Sequence, residues 1–362
     1  MAGLVLAGFL APVAGLCASQ RAGEHPATDA ATFAMLDFGR LQLWGDEVIF
    51  HQWRIQRHAA TGRCRLIDGQ NVRHAFGSFE ECRAALEQIK RQRGLPTMTG
   101  KVVLLLHGLA HSRACMTPLA RFLEHNSDYV VLNVEYPGTH QSIAASARAL
   151  ASIVDHLGQV EEVSFVAHSM GCLIVRRYLS DQMAAKPGEL GPRPGEKLAE
   201  PGRPPKPRLK RMVMLAPPNH GSPIADALAD NTLFRLLLGK PGQELGRHWP
   251  WQEVDLATPP FEFGGIAGGL GDAVGYNPLL PGDDDGVVSV QSTRLAGASD
   301  FLVLPLTHLA ILASPRVHKH TLSFLKRGFF VSPERRQPIP KTPTQPASAA
   351  NSADALGKFS EQ

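Results

Sequence analysis

Glu161-Glu162-Val163-Ser164-Phe165-Val166-Ala167-His168-Ser169-Met170-Gly171-Cys172-Leu173-Ile174-Val175 is the stretch on which the reading of the whole chain turns. An apolar run rich in β-branched residues stops at Ala167-His168-Ser169-Met170-Gly171, then resumes with helical spacing through Cys172, Val175, Arg176 and Leu179. The pattern predicts a strand, a very tight turn and a helix, with a serine at the apex. Ala167 and Gly171 supply the small residues that such a turn needs on either side. The turn is an A-x-S-x-G variant of the nucleophile elbow, which holds a reactive serine clear of a sheet. Alone it is ambiguous, because serine is also a common helix N-cap.

The surrounding pattern places this elbow inside an alternating series of strands and helices. Val102–Leu106 is a continuous apolar strand, as expected when both faces of a sheet are covered. It runs into His107-Gly108-Leu109-Ala110, followed by a helix over Met116–Leu123. Tyr129–Val134 is the next strand, closed by Tyr136-Pro137-Gly138, and Ser142–Leu157 has helical periodicity. Beyond the elbow, Arg211–Ala216 resumes the sheet and ends in Pro217-Pro218-Asn219-His220-Gly221-Ser222. Phe261–Leu270 and Phe301–Leu306 are further strands, and a last helix is expected near Val317–Leu325. Such alternation predicts an α/β fold with a doubly wound, mostly parallel sheet over 100–331. Gly268-Gly269-Leu270-Gly271 lacks the helix and βαβ unit of a dinucleotide loop and is rejected as one.

Other segments bound the domain. Met1–Ser19 carries no charged side chain and reads as an export signal or membrane anchor, the alternative being the start of a cytoplasmic enzyme. Residues 1–33 as a whole are this segment and a linker. Residues 34–96 predict a small α+β unit: alternating strands with turns at Gly45-Asp46, Thr61-Gly62 and Asp68-Gly69, then a helix opened by the capping box Ser78-Phe79-Glu80-Glu81. Residues 186–208 are a Pro/Gly-rich insertion. Residues 223–260, with Trp249 and Trp251, are where a lid would lie, ordinary helical packing being the alternative. From Ser332 to 362 the composition predicts a disordered tail.

Composition excludes several classes of function. The net charge is only +4, and no basic stripe is interleaved with aromatics, so nucleic acid is not an expected partner. Fifteen histidines include His107 and His111 four apart, but a glycine lies between them and no H-E-x-x-H or C-x-x-C accompanies them, so no metal site is expected. Five scattered cysteines do not make a disulfide framework; Cys64 and Cys82 are candidates to pair in an exported protein, and a reduced pair fits equally.

Acyl transfer by serine needs a base, a carboxylate to orient it and donors for the oxyanion. In a parallel sheet these meet at the carboxyl ends of the strands. Ser169 follows one strand, Asp285 lies in the acidic turn Asp283-Asp284-Asp285-Gly286-Val287-Val288, and His308 follows the last strand. Their order, Ser…Asp…His, is the one this type of sheet requires. Asp285 precedes Gly286, which lets the chain turn and aim a carboxylate. Asp283 and Asp284 are expected in solvent, and Asp272 is the alternative acid. His168, beside the nucleophile, is a poor base; His318 and His320 are expected to be exposed.

These residues resemble the α/β-hydrolase fold, and within it the bacterial esterases and lipases. Ala167-His168-Ser169-Met170-Gly171 is similar to the elbow of small Bacillus-type lipases, His107-Gly108-Leu109 to the H-G-hydrophobic oxyanion loop, and Asp285-Gly286-Val287-Val288 to the D-G-x-V acid loop. The resemblance covers about Lys101–Phe329 and implies backbone oxyanion donors at Leu109 and Met170. It also implies no cofactor. Leu309 stands where many secreted lipases carry an aspartate that helps bind calcium, so no calcium site is expected. His107, Gly108 and His220 are the candidates to touch substrate; the alternative for His107 is a hydrogen bond to backbone of its own loop, and for His220 a role in stabilising its loop. The implied activity is hydrolysis of a small-molecule or lipid ester through a Ser169-His308-Asp285 triad. Separately, the uncharged residues 1–19 make association with a membrane one expectation for the N-terminus. An acyltransferase or thioesterase using the same site, or a non-catalytic binding protein on this scaffold, are the alternatives.

Overall fold

Strand β5 (Thr99–Leu106) explains why the sheet is buried on both sides: Val102, Leu104 and Leu106 face one core and Val103 and Leu105 the other, and all five are buried. A run with no polar residue to turn outward can only sit between two layers. In the computed structural model, residues 42–184, 206–221 and 255–341 are described. The segment expected to act as an export signal or anchor, the expected linker, most of the 186–208 insertion, the candidate lid up to residue 254 and residues 342–362 lie outside them.

The main sheet has six strands, all parallel: β5, β6 (Val130–Val134), β7 (Gln159–His168), β8 (Arg208–Leu215), β9 (Glu262–Gly268) and β10 (Asp300–Leu304), in the order β6-β5-β7-β8-β9-β10. After β6 the order reverses across β5, so β5 and β7 flank the switch point, where loops at the carboxyl ends part and leave room for a site. Helix α1 (Phe79–Arg93) belongs to the N-terminal unit. Helices α3 (Ile143–Asp155) and α4 (Met170–Ala184) cover one face of the main sheet; α2 (Thr117–Asn126) and α5 (Pro315–Arg327) cover the other. The last strand stops at Leu304 rather than Leu306, since Pro305 has no N–H to continue the ladder.

The N-terminal unit is a four-stranded antiparallel sheet, β1 (Trp44–Phe50), β2 (Trp53–His58), β3 (Cys64–Ile67) and β4 (Arg73–Gly77), paired in sequence order. Ser78 and Glu81 close the expected capping box at the start of α1, and Gly94 ends that helix in a left-handed conformation. Val48, Ile49, Trp53 and Leu86 join the same core as Val102, Leu104 and Phe165, so this sheet is packed onto the main one rather than tethered beside it. Cys64 and Cys82 are free, buried thiols, and burial raises Cys64 to about 11. Among the described residues no helix is long and apolar enough to cross a membrane.

Three expectations are corrected. Gly45-Asp46 is not a turn but lies inside β1, where the register slips between Asp46 and Val48; the turn falls at His51, whose φ is +52°. His318 is buried, donating from Nε2 to the Leu312 carbonyl at 2.7 Å. The tail remains attached beyond Ser332: Gln337 N–H donates to Asp300, and Ile339 exchanges backbone bonds with Gly297 and Ala298.

Candidate active site

Ser169 stands between β7 and α4 with φ +52°, a left-handed conformation that a non-glycine residue adopts at a cost of about 1–3 kcal/mol. Its N–H is tied to the Leu215 carbonyl of β8 at 2.9 Å. The sharpness of the turn explains Gly171: a Cβ there would lie 2.6 Å from the His107 carbonyl oxygen and 2.9 Å from that of Leu106. Both are backbone atoms of the neighbouring strand and its loop, so no side chain fits. Gly108 is confined in the same way, since a Cβ on it would approach His168 Nδ1 to 2.9 Å and Ser169 Cβ to 3.2 Å. The loop after β5 therefore lies directly against the serine.

His308 Nδ1 lies 2.7 Å from Asp285 Oδ2, and both residues are buried. A carboxylate only accepts, so Nδ1 carries a proton, and in the neutral tautomer this leaves the lone pair on Nε2. The His308 N–H also donates to the Asp285 carbonyl at 2.8 Å, which locks the two loops together. Asp285 Oδ1 is held by the N–H groups of Val287 (3.0 Å) and Val288 (2.7 Å), the geometry that the D-G-V-V turn makes available.

The three adjacent aspartates divide differently from expectation. Asp283 accepts from the N–H groups of Leu270 and Gly271. Asp284 is not in solvent: it is fully buried and accepts from Gly286 N–H at 2.6 Å and Asn277 N–H at 3.3 Å. Burial raises its carboxyl above the usual range, those bonds opposing the shift only in part. Asp272, the alternative acid, is exposed and caps the N–H groups of Val274 and Gly275.

His168 joins the turn that carries Ser169 to the loop that carries His308. Its Nε2 donates to the His308 carbonyl at 3.1 Å, and the two rings lie 4.7 Å apart. Burial, and next the neighbouring His308, hold it far below the ordinary histidine range, so it stays neutral. Nδ1 faces Gly108 and makes no hydrogen bond among the described residues. This bridge escaped the sequence, because nothing in A-H-S-M-G says where the histidine points.

The residues expected to touch substrate divide. Gly108 borders Ser169 as described. His107 has no exposed surface: its ring stacks on Tyr136 and its Nδ1 bonds the Gly108 carbonyl at 2.9 Å, so it serves the loop rather than a ligand. His220 is exposed but engaged, with Nε2 donating to the Arg294 carbonyl at 2.7 Å. Leu109 follows Gly108 in the loop, and Ala110 turns the chain away with φ +56°. Met170, buried, opens α4 immediately after Ser169.

The family model described as "Alpha/beta hydrolase family" matches residues 103–354. No curated protein matches the sequence. Among solved structures the chain is similar to the mature lipase BlEst2 of Bacillus licheniformis, at 18% identity over 63% of this chain and 91% of that one, with a TM-score of 0.42. It is also similar to the metagenomic carboxyl esterase MGS0156, at 18% identity over 59% and 65% and a TM-score of 0.42. A thermophilic esterase from Thermogutta terrifontis is 16% identical over 64% and 92%, with a TM-score of 0.39. The family match spans more than half of the chain and falls on the parallel sheet that carries Ser169 at its switch point. On that ground the chain belongs to the alpha/beta hydrolase family.

Proposed function

We propose that the protein hydrolyses carboxylic esters through an acyl-enzyme on Ser169. The observation that carries the reading is the buried 2.7 Å contact between His308 Nδ1 and Asp285, which leaves His308 Nε2 as a proton acceptor. Ser169 Oγ attacks the ester carbonyl as its proton passes to Nε2; the imidazolium formed is stabilised by the Asp285 carboxylate. The charge that develops on the carbonyl oxygen is met by the N–H groups of Leu109 and Met170. The C–O bond to the alcohol then breaks as His308 returns the proton to the leaving oxygen. Water, deprotonated by the same nitrogen, releases the acid and regenerates the serine.

The test is turnover of a series of nitrophenyl esters of increasing acyl length by the purified protein and by Ser169→Ala and His308→Gln. Both variants should lose at least about 10³-fold in kcat. A Ser169→Ala protein as active as the parent contradicts the reading.

A further inference from the structure

The four-stranded N-terminal sheet grips the segment that follows β6, and that segment grips the loop after β5. Asp46, buried at the bulge of β1, accepts from the Arg54 guanidinium, from Gln56 Nε2 at 2.9 Å and from the Glu135 N–H at 2.8 Å. The Asp46 N–H returns a bond to the Glu135 carbonyl at 2.8 Å, and Arg54 Nη2 donates to the Asn133 carbonyl at 3.0 Å. The end of β6 and Glu135 after it are thus fixed to β1 and β2 by hydrogen bonds to their main chain, made in part by the two members of a buried Asp46–Arg54 ion pair. Their other side meets His107. The Tyr136 ring lies flat on the imidazole, centroids 3.9 Å apart and planes 7° from parallel, and its hydroxyl donates to the His107 carbonyl. Burial keeps that phenol protonated, and so a donor. The Glu135 carboxylate comes within 3.4 Å of His107 Nε2 and accepts from Arg113 N–H on the far side of the loop.

We infer that the N-terminal sheet sets the position of the oxyanion loop, acting through Glu135 and Tyr136, so that Asp46, Arg54, Glu135 and Tyr136 are positioning residues for catalysis. The inference rests on the serine-hydrolase reading, because the donor it governs is the N–H of Leu109, two residues beyond His107. Gly108 has no free space against His168 and Ser169, so a shift at His107 passes straight to the donor. Such donors act where charge develops in the transition state, so misplacing one lowers kcat and leaves KM nearly unchanged.

The experiment compares a nitrophenyl ester with its thionoester, in which sulfur replaces the carbonyl oxygen. Sulfur is larger and a poorer acceptor, so the preference for the oxygen ester reports the geometry of the donors. The ratio of the two kcat/KM values does not depend on how much of the protein is folded, so a purely structural defect lowers both in step. Arg54→Lys keeps the charge and loses the fork to Asn133, while Tyr136→Phe keeps the ring and loses the hydroxyl. Each should lower kcat for the oxygen ester about ten-fold, a fraction of the loss of a whole donor, and lower the ratio. Ratios at the parent value in both variants overturn the inference and leave the ester-hydrolase reading standing. A parent protein with no Ser169-dependent turnover overturns both.

Discussion

The chemistry of single residues here is decided by which backbone N–H groups reach each carboxylate. Of the three adjacent aspartates only Asp285 turns a carboxylate oxygen to His308, and replacing it with asparagine keeps the shape while removing the charge that fixes the tautomer. Asp285→Asn should therefore lose up to about 10⁴ in kcat, read from steady-state ester hydrolysis. Asp283→Asn should stay within a few-fold. Asp284→Asn should keep its kcat per folded molecule but unfold at a lower denaturant concentration. Its amide oxygen can replace only one of the two carboxylate oxygens that now accept, leaving a half-buried N–H unpaired at a cost of about 1 kcal/mol. The run D-D-D marked an acidic turn, and Gly286 after Asp285 pointed to the member that the structure sets against His308. It could not reveal the burial of Asp284, which depends on Asn277, part of a loop folded back over the turn. His318 was legible and was missed: with Thr321 and Leu325 it has the three- and four-residue spacing of a buried helical stripe, and all three are buried.

At the scale of elements, the strand, elbow and helix were readable because each imposes a local requirement on sequence. Apolar continuity marks β5 and β7, Ser142 caps α3, and Ser78 with Glu81 starts α1. Gly45-Asp46 misled because a Gly-Asp pair is an ordinary turn signal, whereas here the aspartate is consumed by a tertiary contact at a bulge. The elbow is also where a single added methyl has most effect. Gly171→Ala would push Cβ against two backbone oxygens of β5 and its loop, neither of which has a rotamer to change. Overpacking of this kind costs about 1–3 kcal/mol. Urea denaturation should report a fall of that size, with activity lost beyond the folded fraction because the oxyanion loop and the serine are forced apart.

For the molecule as a whole, buried and half-buried histidines shape the response to acid. His168, His111 and His318 are all depressed by burial, His111 to about 4. Each is neutral in the fold and binds a proton more readily once unfolded, near 6.5. Their contribution is complete above that pH and declines as pH falls toward the folded values. The raised Asp284 works the other way, gaining as it protonates, but it is one group against three. The melting temperature should therefore decline from pH 7 to pH 4.5, and His318→Gln, remote from the serine, should flatten that slope. A slope unchanged in the variant would remove His318 from the account.

If Ser169 is the nucleophile, a reagent that captures activated serines covalently must land on it. The intact protein is treated with a fluorophosphonate, digested, and the modified peptide sequenced by mass spectrometry. The adduct should sit on Ser169 alone, with labelling slowed in His308→Gln and absent in Ser169→Ala. An adduct on another residue, or labelling that persists in Ser169→Ala, would contradict the account.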